Sequence, residues 1–450
     1  MRRATLLAAV LGLLGLAAAA PAQGAGIIPI GGRFSDCFWT IGAVNGGALN
    51  IAYPDAGANY WGAVYQLPPG ATLTLTGRFP HSRYASLNAY TNLGAVQDAL
   101  ADFQINPDRG AVNPFRPGAL RTATRRSFHV RLADALRPGA LDPDQRANEP
   151  ARNVLHTAIP GDTTHLAAVL WRVYVPDRGR DLRGGVALPQ PRLTLAGGRV
   201  LTGRAACAAL SSQKPVSVDP TALLIPRAQY DTLRYQPGKP PWFPAQPVPV
   251  WRVQYNRAYL LALYTGEKIA NPPKGGQAGF FPNLHNQYVR AALSRKLGKV
   301  FALRGKMATT PATYGGERRM RATQLRYQSF CMNESVLTTR VMDCVYDEQI
   351  PLRAGRRYVV VTSRAEDRPR NATRRCGVAW IRWSPRGDGG RDHDFGWMQI
   401  RNMLPSPSFH HAVQDTRRPG DERRVLGPYL PKSTYYKDKR AFERLGCPVR

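Results

Sequence analysis

Residues 169–187 read VLWRVYVPDRGRDLRGGVA, and residues 361–379 read VTSRAEDRPRNATRRCGVA. Aligned without a gap, the two stretches share seven identical positions, among them Arg172 and Arg364. Similarity of this kind within one chain is typical of a duplicated structural unit. We therefore interpret the chain as two copies of one fold.

Two further blocks support this duplication. Residues 60–77 match residues 288–305 at an offset of 228, as in the pair Tyr60 and Tyr288. The pattern Arg-Tyr-x-Ser occurs at 83–86 and again at 326–329. Three blocks in the same order predict a tandem repeat rather than unrelated domains.

The spacing between the blocks sets the expected domain boundaries. An acidic residue follows the Arg-Tyr-x-Ser pattern in each copy, and we align Asp102 with Asp343. The first copy then carries an insertion of about 103–168. The expected organisation is a signal peptide at 1–22, a first β-sandwich domain at 27–235, a Pro-rich linker at 236–252 and a second β-sandwich domain at 253–450.

Each copy has the alternation of a half-buried strand. Residues 71–76 read ATLTLT and residues 299–304 read KVFALR, so that apolar side chains fall on one face. Short strands separated by Gly/Pro turns favour a sandwich. The predicted fold is mainly β, with tandem duplicated β-sandwich or jelly-roll domains and a few short helices, expected at 256–270 and 435–445.

The stretch GRFPHSRYAS at 77–86 resembles a motif, Phe-Pro-x-x-Arg-Tyr-x-Ser after a strand-ending Gly, of a family of exported bacterial proteins of unknown function. The segments 403–407 (MLPSP) and 429–431 (YLP) are similar to the C-terminal signature of that family. The resemblance covers about half of the chain. It implies paired jelly-roll-like domains and an extracytoplasmic location, and it implies no chemistry.

The N-terminus and the cysteines predict export. Arg2 and Arg3 precede an apolar Leu/Ala run that ends at Ala20-Pro21-Ala22, which is typical of a secretory signal. Six cysteines in an exported chain favour disulfides over metal ligands, with fifteen possible connectivities. Cys331 can bridge an adjacent strand through Cys344, and the remaining pairs would then be Cys376 with Cys447 and Cys37 with Cys207. No later apolar run predicts a membrane span in the mature chain.

The formal net charge of +32 arises from 62 Lys+Arg against 30 Asp+Glu. The basic residues are scattered along the chain, so we expect no nucleic-acid partner. A field of this sign attracts anionic ligands, such as lipid headgroups or acidic glycans. The expected partner is an anionic or carbohydrate ligand at the cell surface.

Residues repeated in both copies are candidates both for structure and for binding. Arg83 and Arg326 offer rigid guanidinium groups suited to a carboxylate or phosphate, and each has an aligned acid. With their neighbours Tyr84 and Tyr327, they are the candidate ligand-binding residues. The other interpretation, which we favour, is a structural ion pair or strand-end clamp within each copy, because function seldom requires two copies of one site.

The candidates for chemistry are a histidine found in one copy and the two aligned acids. His81 can act as a general acid or base, with Asp102 and Asp343 as carboxylate candidates. Oxygen ligands for Ca²⁺ are conceivable in the acidic Gly-rich loop at Asp388, Asp392 and Asp394, although a solvated loop is the simpler interpretation.

The chain contains no Gly-x-Ser-x-Gly elbow, phosphate-binding loop or dinucleotide fingerprint, and we expect no cofactor. A paired-carboxylate glycosidase has no fixed sequence spacing and stays open. We expect a secreted or envelope-associated, non-enzymatic binding protein for a carbohydrate or anionic ligand. The alternative is a secreted glycan or ester hydrolase that uses carboxylates and a His in the inter-domain groove.

Overall fold

The computed structural model describes residues 28–29, 36–47, 49–91, 94–212, 217–218, 224–274 and 281–449. The predicted signal peptide, at 1–22, lies outside these residues. In the part of the chain that is described, no helix has the length and apolar character required to cross a lipid bilayer.

The first half contains twelve described strands. They are β1 (Ile28–Pro29), β2 (Ile41–Val44), β3 (Ala58–Gln66), β4 (Thr72–Arg78), β5 (Ser82–Tyr90), β6 (Val96–Ala101), β7 (Ser127–Ala133), β8 (Val154–His156), β9 (Leu166–Pro176), β10 (Gln190–Thr194), β11 (Val200–Thr202) and β12 (Ser217–Val218). Ten of them form two five-stranded sheets, in the orders β2-β3-β9-β5-β6 and β11-β10-β4-β7-β8, and β1 pairs with β12. All pairs are antiparallel except β7 with β8.

The two five-stranded sheets pack face to face. In β4 the side chains of Leu73 and Leu75 are fully buried while the intervening threonines point outward, as the alternation predicts. Trp171 from β9 stacks on Phe128 from β7 across the gap, with ring centroids 6.1 Å apart. One apolar cluster contains residues of both sheets, which makes this half a β-sandwich.

The second half repeats the arrangement, and its described residues form nine strands. They are β13 (Arg252–Val253), β14 (Asn286–Ser294), β15 (Val300–Lys306), β16 (Leu325–Asn333), β17 (Val341–Tyr346), β18 (Arg357–Ser363), β19 (Ala379–Arg382), β20 (Phe395–Pro405) and β21 (Lys432–Tyr436). The sheets have the orders β13-β14-β20-β16-β17 and β19-β18-β15-β21. Phe330 from β16 packs on Tyr358 from β18, with ring centroids 5.1 Å apart, inside a shared core. The predicted mainly-β tandem sandwich is confirmed.

The strand orders show which segments correspond. The pairs β3/β14 and β4/β15 occupy equivalent positions at an offset of 228, and β5/β16 do so at 243, which confirms the first two sequence blocks. The third block is wrong. Val169 lies in β9, whose counterpart is β20, whereas Val361 lies in β18, the counterpart of β7. Matches of Arg and Gly arise easily in a chain rich in both.

Two further expectations change with this correspondence. The stretch 103–168 contributes β7 and β8 to the first sandwich, and these strands are matched by β18 and β19 in the second. Asp102 opens a short 3-10 turn at Asp102–Gln104, and the equivalent turn is Asp347–Gln349. The counterpart of Asp102 is therefore Asp347, and its alignment with Asp343 is wrong.

Among the described residues, five short α-helices connect the strands. They are α1 (Gly203–Ala209), α2 (Arg227–Arg234), α3 (Arg257–Thr265), α4 (Glu422–Leu426) and α5 (Lys439–Glu443). The helix expected at 256–270 is α3, where Asn256 caps the N-terminus by accepting from the Tyr259 amide and Gly266 ends the helix at φ 76°. The helix expected at 435–445 is shorter, because β21 takes its first residues.

Three disulfides close the structure, and they are those that the sequence favoured. Cys331 and Cys344 are directly opposed on β16 and β17. The other two bonds join Cys37 to Cys207 in the first half and Cys376 to Cys447 in the second. Since structural disulfides persist in oxidising compartments, they indicate an extracytoplasmic location.

Candidate functional site

The two sandwiches meet through one sheet of each, and the strands there are buried on both faces. Every residue of β5, β16 and β20 is buried. One face of each strand packs into its own sandwich, and the other contributes to a cluster between the halves that contains Tyr84 and Tyr327. The predicted ligand-binding residues Tyr84 and Tyr327 therefore lie at the contact between the halves.

Reciprocal ion pairs cross the contact. The Arg83 guanidinium in the first half donates to both Asp347 carboxylate oxygens in the second half, at 2.9 and 3.1 Å. The Arg326 guanidinium in the second half donates to Asp102 in the first, at 3.1 Å. In each pair the arginine comes from one half and the acid comes from the other. The prediction of an ion pair within each copy is therefore wrong.

Each acid also holds its own turn against a neighbouring strand of the same half. One oxygen of Asp102 accepts from the Ala85 amide at 2.7 Å, and one oxygen of Asp347 accepts from the equivalent Gln328 amide at 2.9 Å. Burial raises the pKa of the Asp102 carboxyl to about 6, against the opposing effect of Arg326. Burial likewise raises the pKa of Asp347, which Arg83 opposes.

The tyrosines beside these arginines have partners across the same contact. Tyr327 and Ser329 both donate to the buried Asp55 carboxylate, at 2.7 and 2.6 Å, and Arg401 forms an ion pair with it. Asp55 was not predicted from the sequence, because it lies in a loop outside the repeat blocks.

The equivalent position in the second half carries Asn283, whose amide donates to the Tyr84 hydroxyl at 3.1 Å. The hydroxyl of Tyr84 also bonds His285 Nδ1 at 2.6 Å. The four predicted ligand-binding side chains, Arg83, Tyr84, Arg326 and Tyr327, are thus buried among protein partners between the halves.

An open groove of about 790 Å³ runs along one side of this contact. Its first wall is the loop formed by residues 45–47 and 49–57, with Asn59 and Leu182, and its second wall is β17 with the residues around Ser384. The loop crosses to the second half, where Asn50 exchanges side-chain hydrogen bonds of 2.6 and 2.8 Å with the Val341 backbone. The groove therefore lies between the halves and has walls from both.

The second wall carries both signs of charge. Glu334 pairs with Arg386, whose Nη2 lies 2.8 and 2.9 Å from its two oxygens, and it also accepts from Ser384 at 2.9 Å. Asp343, a predicted site residue, lies in this wall, where its oxygens accept from the Cys344 and Arg382 amides, each at 2.9 Å. Burial raises the pKa of its carboxyl against these hydrogen bonds.

Arg340 and Arg382 add two exposed positive charges to the same wall, and the charge of Arg382 opposes the effect of burial on the pKa of the Asp343 carboxyl. Both side chains are exposed and line the groove, and neither forms an ion pair with any of the residues described. Tyr314 closes one end, with 38% of its surface exposed and Arg178 5.2 Å from its ring centroid. Exposed guanidinium, amide and aromatic groups in one groove can bind polar ligands of low molecular weight.

His81 lies elsewhere, among arginines. Arg126 Nη1 lies 2.8 and 2.7 Å from its two ring nitrogens. Burial lowers the pKa of His81 to about 4, and the charges of Arg126 and Arg180 add to the effect. His81 is neutral at pH 7 and does not line the groove.

The three carboxylates of the acidic loop have separate partners. Asp388 accepts from the Tyr230 hydroxyl at 2.8 Å, and Asp394 pairs with Arg295 at 2.8 Å. Asp392 pairs with Arg234 and with Lys296. Within the described ranges, the acidic-loop oxygens do not gather within 4.8 Å of one another as metal ligands would.

Comparisons with known proteins show similarity in structure alone. No family model matches the sequence, and no curated protein matches it. An uncharacterized protein from Burkholderia cenocepacia aligns over 86% of this chain and 78% of its own, with 11% identity and a TM-score of 0.43. The VPA0106 protein from Vibrio parahaemolyticus aligns over 86% and 90%, with 10% identity and a TM-score of 0.38.

Proposed function

We propose that the chain is a secreted or envelope-associated binding protein that takes a carbohydrate or anionic ligand in the groove between its halves, without catalysing a reaction. The observation that carries the proposal is the pair of exposed arginines, Arg340 and Arg382, in a groove of about 790 Å³. An anion placed there would gain charge-assisted hydrogen bonds at little cost in desolvation.

The groove also has the chemistry of a sugar site. The side-chain amides of Asn45 and Asn59, which hydrogen-bond each other at 3.1 Å, line the groove, and amide groups are able to hydrogen-bond hydroxyls. The ring of Tyr314 offers an exposed apolar face at one end. An acidic glycan combines both features and is the ligand class that the groove fits best.

The alternative hydrolase is less well supported. A general acid needs a carboxyl free to exchange its proton with the substrate. In the groove, Glu334 is held by Arg386, and the Asp343 oxygens are occupied by two backbone amides. No described histidine lines the groove.

Export is part of the proposal. The three disulfides agree with an oxidising compartment, and the predicted signal at 1–22 would supply the route. We propose that the mature protein lies in the periplasm or outside the cell, where it meets cell-surface glycans and lipid headgroups.

The experiment is a glycan and lipid array at physiological salt, followed by titration of any hit against two matched pairs of variants. Arg382→Ala should weaken binding about tenfold or more, since a hydrogen bond to a charged group contributes about 1.5–3 kcal/mol. Arg199→Ala removes an exposed arginine outside the groove and should leave binding unchanged.

The second pair tests the aromatic end of the groove. Tyr314→Ala should weaken binding of a glycan, whereas Tyr235→Ala, at a tyrosine 41% exposed beside Arg391, should not. The proposal fails if no array component binds, or if both members of a pair have the same effect.

A further inference from the structure

A second cavity lies under the same loop, on the side away from the groove. The cavity has a volume of about 130 Å³ and is separate from the groove. The loop lines the groove with other residues, Asn45 and Asn50. Its walls are mainly apolar, with tyrosine rings and two arginines at the contact between the halves. The apolar wall includes Ile41, Val44, Leu49, Ile51, Val64 and Leu170.

One of the two arginines, Arg172, is buried without an acid. It is 2% exposed, and its Nη2 donates to the Phe281 carbonyl at 2.8 Å. Its Nε and Nη1 have no acceptor. The rings of Tyr60 and Tyr90 lie 5.6 and 5.5 Å from the guanidinium carbon and satisfy part of the charge. A buried cation with two unpaired nitrogens is costly unless an anion joins it.

The second arginine of the cavity already has a counter-ion. Arg401, the equivalent of Arg172 in the second half, pairs with the buried Asp55. Asn283 stands where Asp55 would be expected for Arg172. The cavity walls therefore carry two positive charges and one neighbouring negative charge, which leaves room for one monoanion.

The cavity wall differs from the equivalent surface of the second half. Gly62 on β3 lines the cavity, and its equivalent on β14 is Arg290. A Cβ at position 62 would lie 2.9 Å from Ile41 and 3.1 Å from Leu170, so these two side chains pack against the glycine. In the second half, the guanidinium carbon of Arg290 lies 3.9 Å from the centroid of the Tyr53 ring. The two halves therefore differ at this position of the wall, as they do at Asp55 and Asn283.

We infer that this cavity binds a small monocarboxylate with an apolar body of about six carbons, with its carboxylate on Arg172. Size limits the apolar body to about six carbons, because an engineered apolar cavity of about 150 Å³ holds benzene and this cavity has about 130 Å³. The tyrosine rings and aliphatic side chains would take the apolar body, and the unpaired guanidinium nitrogens would take the carboxylate. This site is distinct from the groove of the proposed function.

The test uses the full mature chain with benzoate and hexanoate as probes, measured by calorimetry and by thermal shift. We expect one site per chain and a rise in melting temperature with either acid. Benzamide, which is neutral and has the same ring, should bind at least tenfold more weakly than benzoate.

Two matched variants assign the site. Arg172→Met keeps the length of the side chain and removes the charge, so the response to benzoate should fall at least tenfold. Arg126→Met removes another buried arginine, whose Nε has no acceptor and whose partners include His81 and the Pro80 carbonyl, none of them in the cavity wall. It should keep the full response.

Three results would overturn the inference. They are no binding of either acid to the wild-type chain, equal binding of benzoate and benzamide, and an undiminished response in Arg172→Met. The comparison of benzoate with benzamide needs no variant, so it decides the matter even if Arg172→Met does not fold. Loss of groove binding in Arg382→Ala with an intact benzoate response would separate the two sites.

Discussion

Replacing Arg83 by Met should destabilise the protein more than the equivalent change at Arg326. Arg83 contacts Asp347, Glu348 and Thr313, whereas Arg326 contacts Asp102 and one backbone carbonyl. Arg83→Met therefore leaves two neighbouring acids without a cation, and Arg326→Met leaves one. Breaking a buried pair costs about 3–5 kcal/mol, so we place Arg83→Met at the upper end and Arg326→Met at the lower.

The difference should depend on pH. Burial already raises the folded-state pKa of Asp347, and loss of Arg83 removes the charge that opposes this effect. A carboxyl whose pKa is higher in the folded than in the unfolded state favours folding increasingly as pH falls through that pKa. The deficit of Arg83→Met against wild type should be largest at neutral pH and should shrink towards pH 5.

The assay is urea unfolding followed by tryptophan fluorescence, since the eight tryptophans are distributed over both halves. Because the mutated pair joins the halves, its loss should also separate unfolding into two transitions. The control is Arg370→Met, at an arginine whose side chain is 91% exposed and pairs with Glu443; it should cost under about 1 kcal/mol. Equal midpoints for Arg83→Met and Arg370→Met would refute the reasoning.

Two further predictions concern the disulfides and a histidine. The three disulfides close loops of 170 residues (Cys37–Cys207), 71 residues (Cys376–Cys447) and 13 residues (Cys331–Cys344). Loop-closure entropy predicts that removing them costs about 5, about 4 and about 3 kcal/mol, respectively. Denaturation of the three double Cys→Ala variants should follow this order. A reversed order would contradict an origin in the unfolded chain. For His81, NMR titration should show a neutral ring down to about pH 5, since burial and Arg126 lower its pKa to about 4; a midpoint near 6.5 would show that this environment is absent in solution.

The strands were predictable because their signal is local. Alternation at 71–76 identified β4, and the gapless match to the second half identified β15. The third block failed because its identities were common residues of this chain, Arg, Gly, Val and Ala, whereas the true pair β9 and β20 shares only Arg172/Arg401 and Pro176/Pro405. Core strands keep their hydrophobic character while their residues change, so identity is a poor guide there.

The partners of the repeated arginines were not predictable. The pattern Asp-x-Gln at 102–104 and 347–349 marks the equivalent turns. This pattern was the sequence signal that could have aligned Asp102 with Asp347 and not with Asp343. Nothing in the sequence says that a repeated pair is exchanged between copies, because that depends on which faces of the sheets meet. A groove between the halves was expected, but its lining residues other than Asp343, like the position of Asp55, depend on the same packing and were not predicted.

The exchanged ion pairs have the pattern of an isologous dimer interface, in which residue i meets j and j meets i. A dimer of identical chains must carry every substitution twice, on both sides of its axis. A tandem chain has no such constraint, and its two halves meet at an effective concentration of the order of millimolar without requiring a second molecule. That freedom is visible where Gly62 faces Arg290 in the alignment, and where Asp55 faces Asn283. Covalent linkage thus allows one half to specialise while the other preserves the contact.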